Sequence, residues 1–483
     1  MNFVSDVVLR RDPAQLALVE RTANGDRREH AFGELADRAS RLAGTLAGLG
    51  AHRGDVVMTL FGSRVEWVET LLACFGTGRV VLPCTEQLRA ADLRHRIEVA
   101  EPAVLVADER NRAVVEQAGL NCPVLYLPDP NAYDAEPEPW IELAAEDRCL
   151  LTFTSGTSGP PKAVLHGQRY LAGQWLQAQH WLGAQPGDLV WCTAATGWSK
   201  SARNAFVAPW LSGGAALLHD ARFDPAQRLS IAAEEGVAVL CMAPTEYRII
   251  ATKGLLRVLP GLRSLVAAGE ALDRATLARW HEVTGLFVRD GYGQSETGQL
   301  TANPLGADAR PGSMGRPLPG IRVEVVDGEL RVDPASLPTF FLGYLGEPAP
   351  VGWWRTGDRV RQEPDGYLYF EARADDVINS AGYRIGPFEV EDVLAAHPAV
   401  AESAVVGAPD PERGELVRAF IVLREGYLGS AELVAELQRH VRERTAPYKY
   451  PRVVDFVSEL PKTTTGKVRR TALRRTECGL DVP

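Results

Sequence analysis

The nine residues Thr154-Ser-Gly-Thr-Ser-Gly-Pro-Pro-Lys162 hold four hydroxyls, two glycines and a lysine. Glycines free the backbone to fold round an anion, hydroxyls add donors and the lysine adds charge. The chemistry to expect is anion binding, with phosphate the natural ligand. It is not a Walker A loop: two residues, not four, separate Gly156 from Gly159, and Ala163 rather than Ser or Thr follows Lys162. The same residues also read as an ordinary Ser/Gly turn.

Four further segments could do chemistry. Gly291-Tyr-Gly-Gln-Ser-Glu-Thr-Gly298 sets a carboxylate, Glu296, in a polar turn, where it suits Mg²⁺, an ion that prefers oxygen ligands and shares them with phosphates. Tyr292 is placed to lie against a base. Trp353-Trp-Arg-Thr-Gly-Asp358 offers Asp358 as an acceptor for a ribose diol. Ala372-Arg-Ala-Asp-Asp-Val-Ile-Asn-Ser-Ala-Gly-Tyr-Arg384 sits where the texture of the chain changes, and Pro461-Lys-Thr-Thr-Thr-Gly-Lys467 presents a lysine on a flexible loop. Each also reads as a turn or a solvated face.

The elements that must position these loops alternate. Residues 33–50 space their apolar side chains by three and four and end in glycine, a pattern that predicts an amphipathic helix. Short apolar runs follow at Val56–Leu60, Ala103–Ala107, Val124–Leu127, Leu189–Cys192, Ala215–His219, Val237–Met242 and Ser264–Ala267, with a helix over Val65–Phe75. Strand–helix alternation predicts α/β layers with mostly parallel strands. The proline- and acid-rich residues 128–146 predict an exposed connection. Beyond about residue 320 short strands and turns take over (Ile321–Val326, Glu329–Val332, Tyr367–Phe370). From Asp375 a compact run of strands and two helices (Pro387–Ala396, Ser430–Thr445) follows, which puts a domain boundary near Arg373–Asp376.

Composition bounds the rest. The chain has 483 residues, 46% of them apolar and 24% charged, and a net charge of −10. This is a folded globular chain of several lobes, without the basic surface that a nucleic-acid partner needs. Seven scattered cysteines with no C-x-x-C pair argue against a zinc site or a disulfide framework and for a reducing compartment, the cytoplasm. No signal peptide or membrane span is expected. Of 52 basic residues only six are lysines, at 162, 200, 253, 449, 462 and 467; the other 46 are arginines. The scarcity reads first as a coding bias toward arginine; because arginine is a planar fork and lysine a compact point charge, a lysine kept in such a chain also reads as a place where the fork does not fit.

Taken in order, the five segments resemble the adenylate-forming superfamily: acyl-CoA synthetases, luciferases and adenylation domains. The resemblance runs from about residue 30 to Arg474 and is nearest to the medium-chain acyl-CoA synthetases, through Thr196-Gly-Trp-Ser-Lys200, Ala208-Pro-Trp210, Met242–Arg248 and Ala372–Glu391. It implies a large layered α/β N-terminal domain (1–374) and a small mobile α+β C-terminal domain (375–483). It implies an ATP-dependent acid–CoA ligase that uses ATP, Mg²⁺ and coenzyme A on a medium-chain, branched or aromatic acid. Thr154, Ser155, Gly156, Thr157, Ser158, Gly159 and Lys162 would wrap the ATP phosphates. Gly269, Glu270 and Ala271, with Asp290, Gly291, Tyr292, Gly293, Gln294 and Ser295, would form the adenine pocket. Glu296 would hold Mg²⁺, Asp358 and Arg373 the ribose. Arg384 would reach the phosphates or the acyl-adenylate, and Lys467 would bridge the substrate carboxylate and the reacting phosphate. Asp375 would be the hinge. Ala381, Gly382, Tyr383, Arg413, Arg444, Tyr450, Pro451 and Arg452 would meet coenzyme A.

The sequence departs from the family's usual text at Pro160-Pro161, Ser295 and Ala372, without losing a catalytic group. Trp198 suggests a hydrophobic acyl pocket. His166 either lines that pocket or packs as a core histidine. Lys200, beside Trp198, reads either as a neighbour of the acyl pocket or, by preference, as one half of a surface salt bridge; Lys253 is expected on an exposed helix end, and Lys449 either near coenzyme A phosphates or solvated. Two other functions stay open: loading of a carrier protein's pantetheine, and non-catalytic acyl or nucleotide binding. The sequence leaves open a homo-oligomer.

Overall fold

The structure is a computed structural model. It describes residues 1–475 except 155–160, 271, 307–308, 374–375, 381–382, 412 and 464–465.

Leu35, Ala39, Leu42 and Leu46 recur at the helical repeat and are buried along one face of the helix Phe32–Gly48. Gly50 just beyond it takes a φ of 95°, left-handed backbone that glycine adopts without strain. The helix Val65–Thr77 is buried along its whole length and stops at Gly78, also left-handed. Both helices pack on two large sheets.

The first sheet has nine strands. Its centre runs parallel through Ala215–Asp220, Leu189–Cys192, Val239–Met242, Ser264–Ala268 and Val288–Gln294. It then reverses: Gly298–Ala302 is antiparallel to Val288–Gln294. The second sheet, of seven strands, is parallel through Val80–Thr85, Val56–Phe61, Val104–Asp108 and Val124–Leu127. It too reverses at one side, where Ala163–Gly167 is antiparallel to Arg148–Phe153. The expected alternation and parallel sheets are therefore found. The chemistry-bearing segments 154–162 and 294–298 connect the strands at these reversals, where no helical crossover is needed.

Residues 128–146 differ from the exposed connection expected of them. They run over the surface, but Ala132 and Leu143 are buried, and Trp140 fills the space beside Gly76, where an added Cβ would stand 2.3 Å from its ring. Small apolar residues among prolines and acids gave no periodic signal, so this anchoring was not legible.

A four-stranded sheet joins Val323–Val326, Glu329–Val332, Trp354–Gln362 and Leu368–Arg373. A five-stranded sheet draws all its strands from residues 378–456. The helices Pro387–Ala395 and Ala431–Arg444 pack with it around Val390, Leu394, Leu437 and Val441, and Ser430 caps the second helix through Leu433 N–H at 3.2 Å. This lobe has its own apolar core. It meets the rest of the chain in part through Asp392, which accepts a hydrogen bond from the Arg274 amide at 3.1 Å.

Candidate active site

The turn Gln294–Gly298 closes the hairpin at the reversal of the first sheet. Its tightness depends on glycine: a Cβ on Gly293 would stand 1.9 Å from the Gly298 carbonyl oxygen, and Gly298 has a φ of 69°. Glu296 projects from the tip. The Tyr344 hydroxyl donates to Glu296 Oε1 at 2.9 Å, the Phe341 amide donates to the Glu296 carbonyl at 2.8 Å, and Thr339 Oγ1 donates to the Thr297 carbonyl at 2.6 Å. The segment 339–344 thus braces the turn from behind. Tyr344 carries no motif signal, and the sequence reading missed it.

Tyr292 and Gln294, two apart on a strand, point to one face, and that face meets Asp358. The Tyr292 hydroxyl donates to Asp358 Oδ2, and Gln294 Nε2 donates to the same oxygen at 2.8 Å. Arg373 lies directly opposite Asp358 on the neighbouring strand, with its Nε 3.4 Å from Oδ1. Asp358 is 3% exposed. Burial pushes its carboxyl up, against the pull of Arg373 and the two donors. Burial likewise raises the Asp290 carboxyl, two residues before Tyr292 on the same strand.

The ends of the Thr154–Lys162 loop are clamped together. Thr154 N–H donates to the Lys162 carbonyl at 2.9 Å, and Lys162 N–H to Thr154 Oγ1 at 3.1 Å. Lys162 is exposed. Its Nζ lies 3.4 Å from Glu347 and 4.4 Å from the ring centre of Tyr344. Tyr344 therefore touches both Lys162 and Glu296, and ties the two strongest motifs together. Ser155, Gly156, Thr157, Ser158 and Gly159 lie outside the described residues.

Lys467 comes from the far end of the chain. Its loop is closed by Thr463 N–H donating to the Lys467 carbonyl at 2.8 Å and by Lys467 N–H donating to Thr463 Oγ1 at 3.1 Å. The side chain enters the region of Glu270, Asp358, Arg373 and Lys200. Burial lowers its ammonium pKa, and Lys200 and Arg373 lower it further, against Glu270 and Asp358. Lys200 is a correction. Among the described residues it makes no surface salt bridge: its Nζ donates to the Ala268 carbonyl at 2.7 Å, beside Gly269, and it faces the same centre as Lys467. Side-chain spacing gives no clue to this, because Lys200 reaches the strand end from a loop distant in sequence.

The remaining candidates are dispersed. His166 is 0% exposed; its Nε2 meets the Ser295 carbonyl at 2.9 Å and its ring packs on Tyr170 at 4.0 Å. Burial lowers its pKa to about 3, so it is neutral. Trp198 is half-buried against the main core, with Lys200 over its ring. In the C-terminal lobe, Arg442 and Arg452 gather on the Tyr450 ring at 3.8 and 4.8 Å, with Pro451 between Tyr450 and Arg452. Tyr383 stacks on Tyr448 at 4.1 Å. Arg413 bonds through its amide to Asp410, and Arg444 makes local contacts at its helix end. Arg384 lies on the strand Tyr383–Ile385, opposite Asn379. Lys449 is ion-paired with Glu389, and Lys253 follows the helix Pro244–Thr252 and is exposed, as expected. Ala271, Asp375, Ala381 and Gly382 lie outside the described residues.

Residues 6–339 match the family described as AMP-binding enzyme, and residues 389–467 match the AMP-binding enzyme C-terminal domain. The mitochondrial acyl-coenzyme A synthetase ACSM4 of Rattus norvegicus is 37% identical, over 97% of this chain and 87% of its own. Among solved structures, a benzoate CoA ligase from Burkholderia xenovorans LB400 is 27% identical, with a TM-score of 0.89 over 98% of this chain and 100% of its own. The anthranilate CoA ligase AuaEII in complex with anthranoyl-AMP is 28% identical, with a TM-score of 0.88 over 98% of this chain and 96% of its own.

Proposed function

The chain belongs to the AMP-binding enzyme family, and from that premise we infer that it is an ATP-dependent acid–CoA ligase. The observation that carries this is the convergence of Lys467, from the C-terminal lobe, with Asp358, Arg373, Lys200 and Glu270 of the large lobe.

In the first half-reaction the substrate carboxylate attacks the α-phosphorus of ATP, the bond to the β-phosphate oxygen breaks, and acyl-adenylate and pyrophosphate form. The nucleophile is already ionised at neutral pH, so no general base is needed. Two anions must instead be brought together, and positioning with charge neutralisation does that. Lys467 neutralises charge between carboxylate and phosphate, Lys162 and the Thr154 loop hold the outgoing phosphates, and Asp358 accepts from the ribose. Arg384 serves the phosphates in the same way. The Gly269–Ala271 and Asp290–Ser295 segments form the adenine pocket. In the second half-reaction the thiol of coenzyme A loses its proton, attacks the acyl carbonyl and displaces AMP.

Glu296 fits Mg²⁺. It is a half-buried carboxylate with one oxygen steadied by Tyr344, and Mg²⁺ is commonly held by one or two carboxylates together with phosphates. Bound there, the ion would neutralise phosphate charge.

Lys467 fills the space beside Asp358 in the first step and must leave for the thiol to enter. A rotation of residues 375–483 as a small mobile domain about Asp375 resolves that conflict. Tyr383, Arg413, Arg444 and Tyr450–Arg452 are the coenzyme A contacts of the rotated state. Trp198 borders the acyl pocket, and the wholly buried His166 packs behind the reactive turn against the Ser295 carbonyl rather than facing the acid. A role in fatty acid metabolism follows from a medium-chain acid. The six described cysteines are all free, which supports the reducing cytoplasm as the compartment. Among the described residues no helix is long and apolar enough to cross a membrane.

The test is pyrophosphate release over a panel of acids from acetate to decanoate and benzoate, with and without coenzyme A. Release that becomes acyl-CoA when coenzyme A is present is the expected result. No release with any acid contradicts the reading. Adenylate that coenzyme A never captures redirects it to a carrier-protein acceptor.

A further inference from the structure

Five arginines are buried among the described residues: Arg79, Arg203, Arg228, Arg289 and Arg418. Four have their charge or donors met inside the protein. Arg79 reaches Glu138 at 2.7 Å, Arg228 reaches Glu246 at 2.9 Å and Arg418 reaches Asp455 at 2.7 Å. Arg289 donates to the Asn303 carbonyl at 3.0 Å and Ser264 Oγ at 2.7 Å.

Arg203 is the exception. It is 5% exposed, no described carboxylate lies within ion-pair distance, and its Nε and Nη1 have no hydrogen-bond partner. The polar side chain set against it is the neutral Tyr170 hydroxyl. A buried guanidinium without an anion is costly to keep, and removing the partner of a buried charge is among the more destabilising changes known. A site built this way is complete only with an acceptor from outside.

The position of Arg203 says what that acceptor belongs to. It starts the helical segment Arg203–Val207, three residues after Lys200, so the two side chains leave the chain about one turn apart. Lys200 faces the reaction centre. On its other side Arg203 abuts the reactive turn: its Nη1 lies 3.5 Å from where a Cβ of Gly298 would stand. The neighbouring Ser199 Oγ accepts a hydrogen bond from the Ser295 hydroxyl at 3.2 Å. Arg203 thus lies behind the reactive turn, three residues along the chain from the Lys200 that faces the reaction centre.

We propose that Arg203 binds a second anionic group at the far end of the substrate, so that the acid ligated is a dicarboxylate. This rests on the acid–CoA ligase reading above and narrows its substrate class. Of the two carboxylates, one reacts beside Lys467 and Lys200, and the other pairs with the Arg203 fork.

The experiment measures pyrophosphate release and acyl-CoA formation with matched straight-chain pairs, butanoate against butanedioate up to octanoate against octanedioate, and with benzoate. Wild type, Arg203→Leu and Arg203→Lys are compared, with folding followed by circular dichroism. A charged hydrogen-bonded pair in a dry site is worth roughly ten- to a hundredfold. Wild type should favour the dicarboxylate by that factor in kcat/KM at one length or more. Arg203→Leu should reverse the preference, and Arg203→Lys, which keeps charge but loses the fork, should retain part of it. If Arg203→Leu fails to fold, Arg203→Lys against wild type decides. Equal or better use of the singly charged acids at every length, or a preference unmoved by the variants, overturns the proposal alone. No pyrophosphate from any acid overturns the ligase reading with it.

Discussion

Lys162 and Lys467 are the same residue type aimed at one reaction centre, yet their surroundings are opposite. Lys162 is solvated and rests on Glu347 and the Tyr344 ring, an arrangement a phosphate can displace at little cost. Lys467 is partly buried, and burial with Lys200 and Arg373 lowers its ammonium pKa against Glu270 and Asp358. Surface pairs such as Lys162–Glu347 are worth about 0–1 kcal/mol, whereas a desolvated charge is strongly coupled to its neighbours. On the proposed reading the first lysine would hold the leaving phosphates. The second is poised for the moment when negative charge gathers between carboxylate and phosphate. Lys467 rides on a lobe with its own apolar core and Lys162 does not, which is the difference the proposed two-step use of the site would require.

The largest effect on this comparison should come from the proposed hinge. Asp375→Pro should leave adenylate formation within about threefold of wild type and lower thioester formation by roughly a hundredfold or more. Rapid-quench measurement of both half-reactions checks this, and equal loss of the two would remove the case for a moving lysine. Lys162→Arg comes next. Arginine spreads its charge over a planar fork where lysine offers a compact point charge, and adenylation should fall about tenfold, chiefly through the KM for ATP.

A pH profile sharpens the electrostatic half of the contrast. Lys200 lowers the Lys467 pKa, and Lys467 works protonated, so adenylation is lost as pH rises through that lowered value. Lys200→Met should move the alkaline limb of pyrophosphate release upward; a downward or absent shift would show that Lys200 does not act on Lys467. The smallest effect belongs to Glu347→Gln, which frees Lys162 from a surface pair. Adenylation should change by no more than about threefold, in either direction.

Much of this architecture is legible in the sequence because it is local. The helical repeat of residues 33–50, the short apolar strands and the glycine-flanked Glu296 turn each carry their own pattern, and each appears where expected. What escaped is non-local. Tyr344 joins Lys162 to Glu296 only because the segment 339–344 crosses behind both hairpins. Lys200 enters the site because a loop meets the end of a strand 68 residues away. Residues 128–146 are pinned by Trp140 against Gly76, a contact between an aromatic and a missing side chain that no periodicity announces. That no described carboxylate reaches Arg203 is visible only once those carboxylates have been placed.

The central claim is that Lys467 acts in one half-reaction and not the other. The direct measurement is single-turnover chemistry of Lys467→Ala, first from ATP and acid, then from acyl-adenylate supplied with coenzyme A. The account predicts a loss of roughly a hundredfold or more in adenylate formation, with thioester formation from supplied adenylate near wild type. Equal loss in both steps, or none in the first, would contradict it.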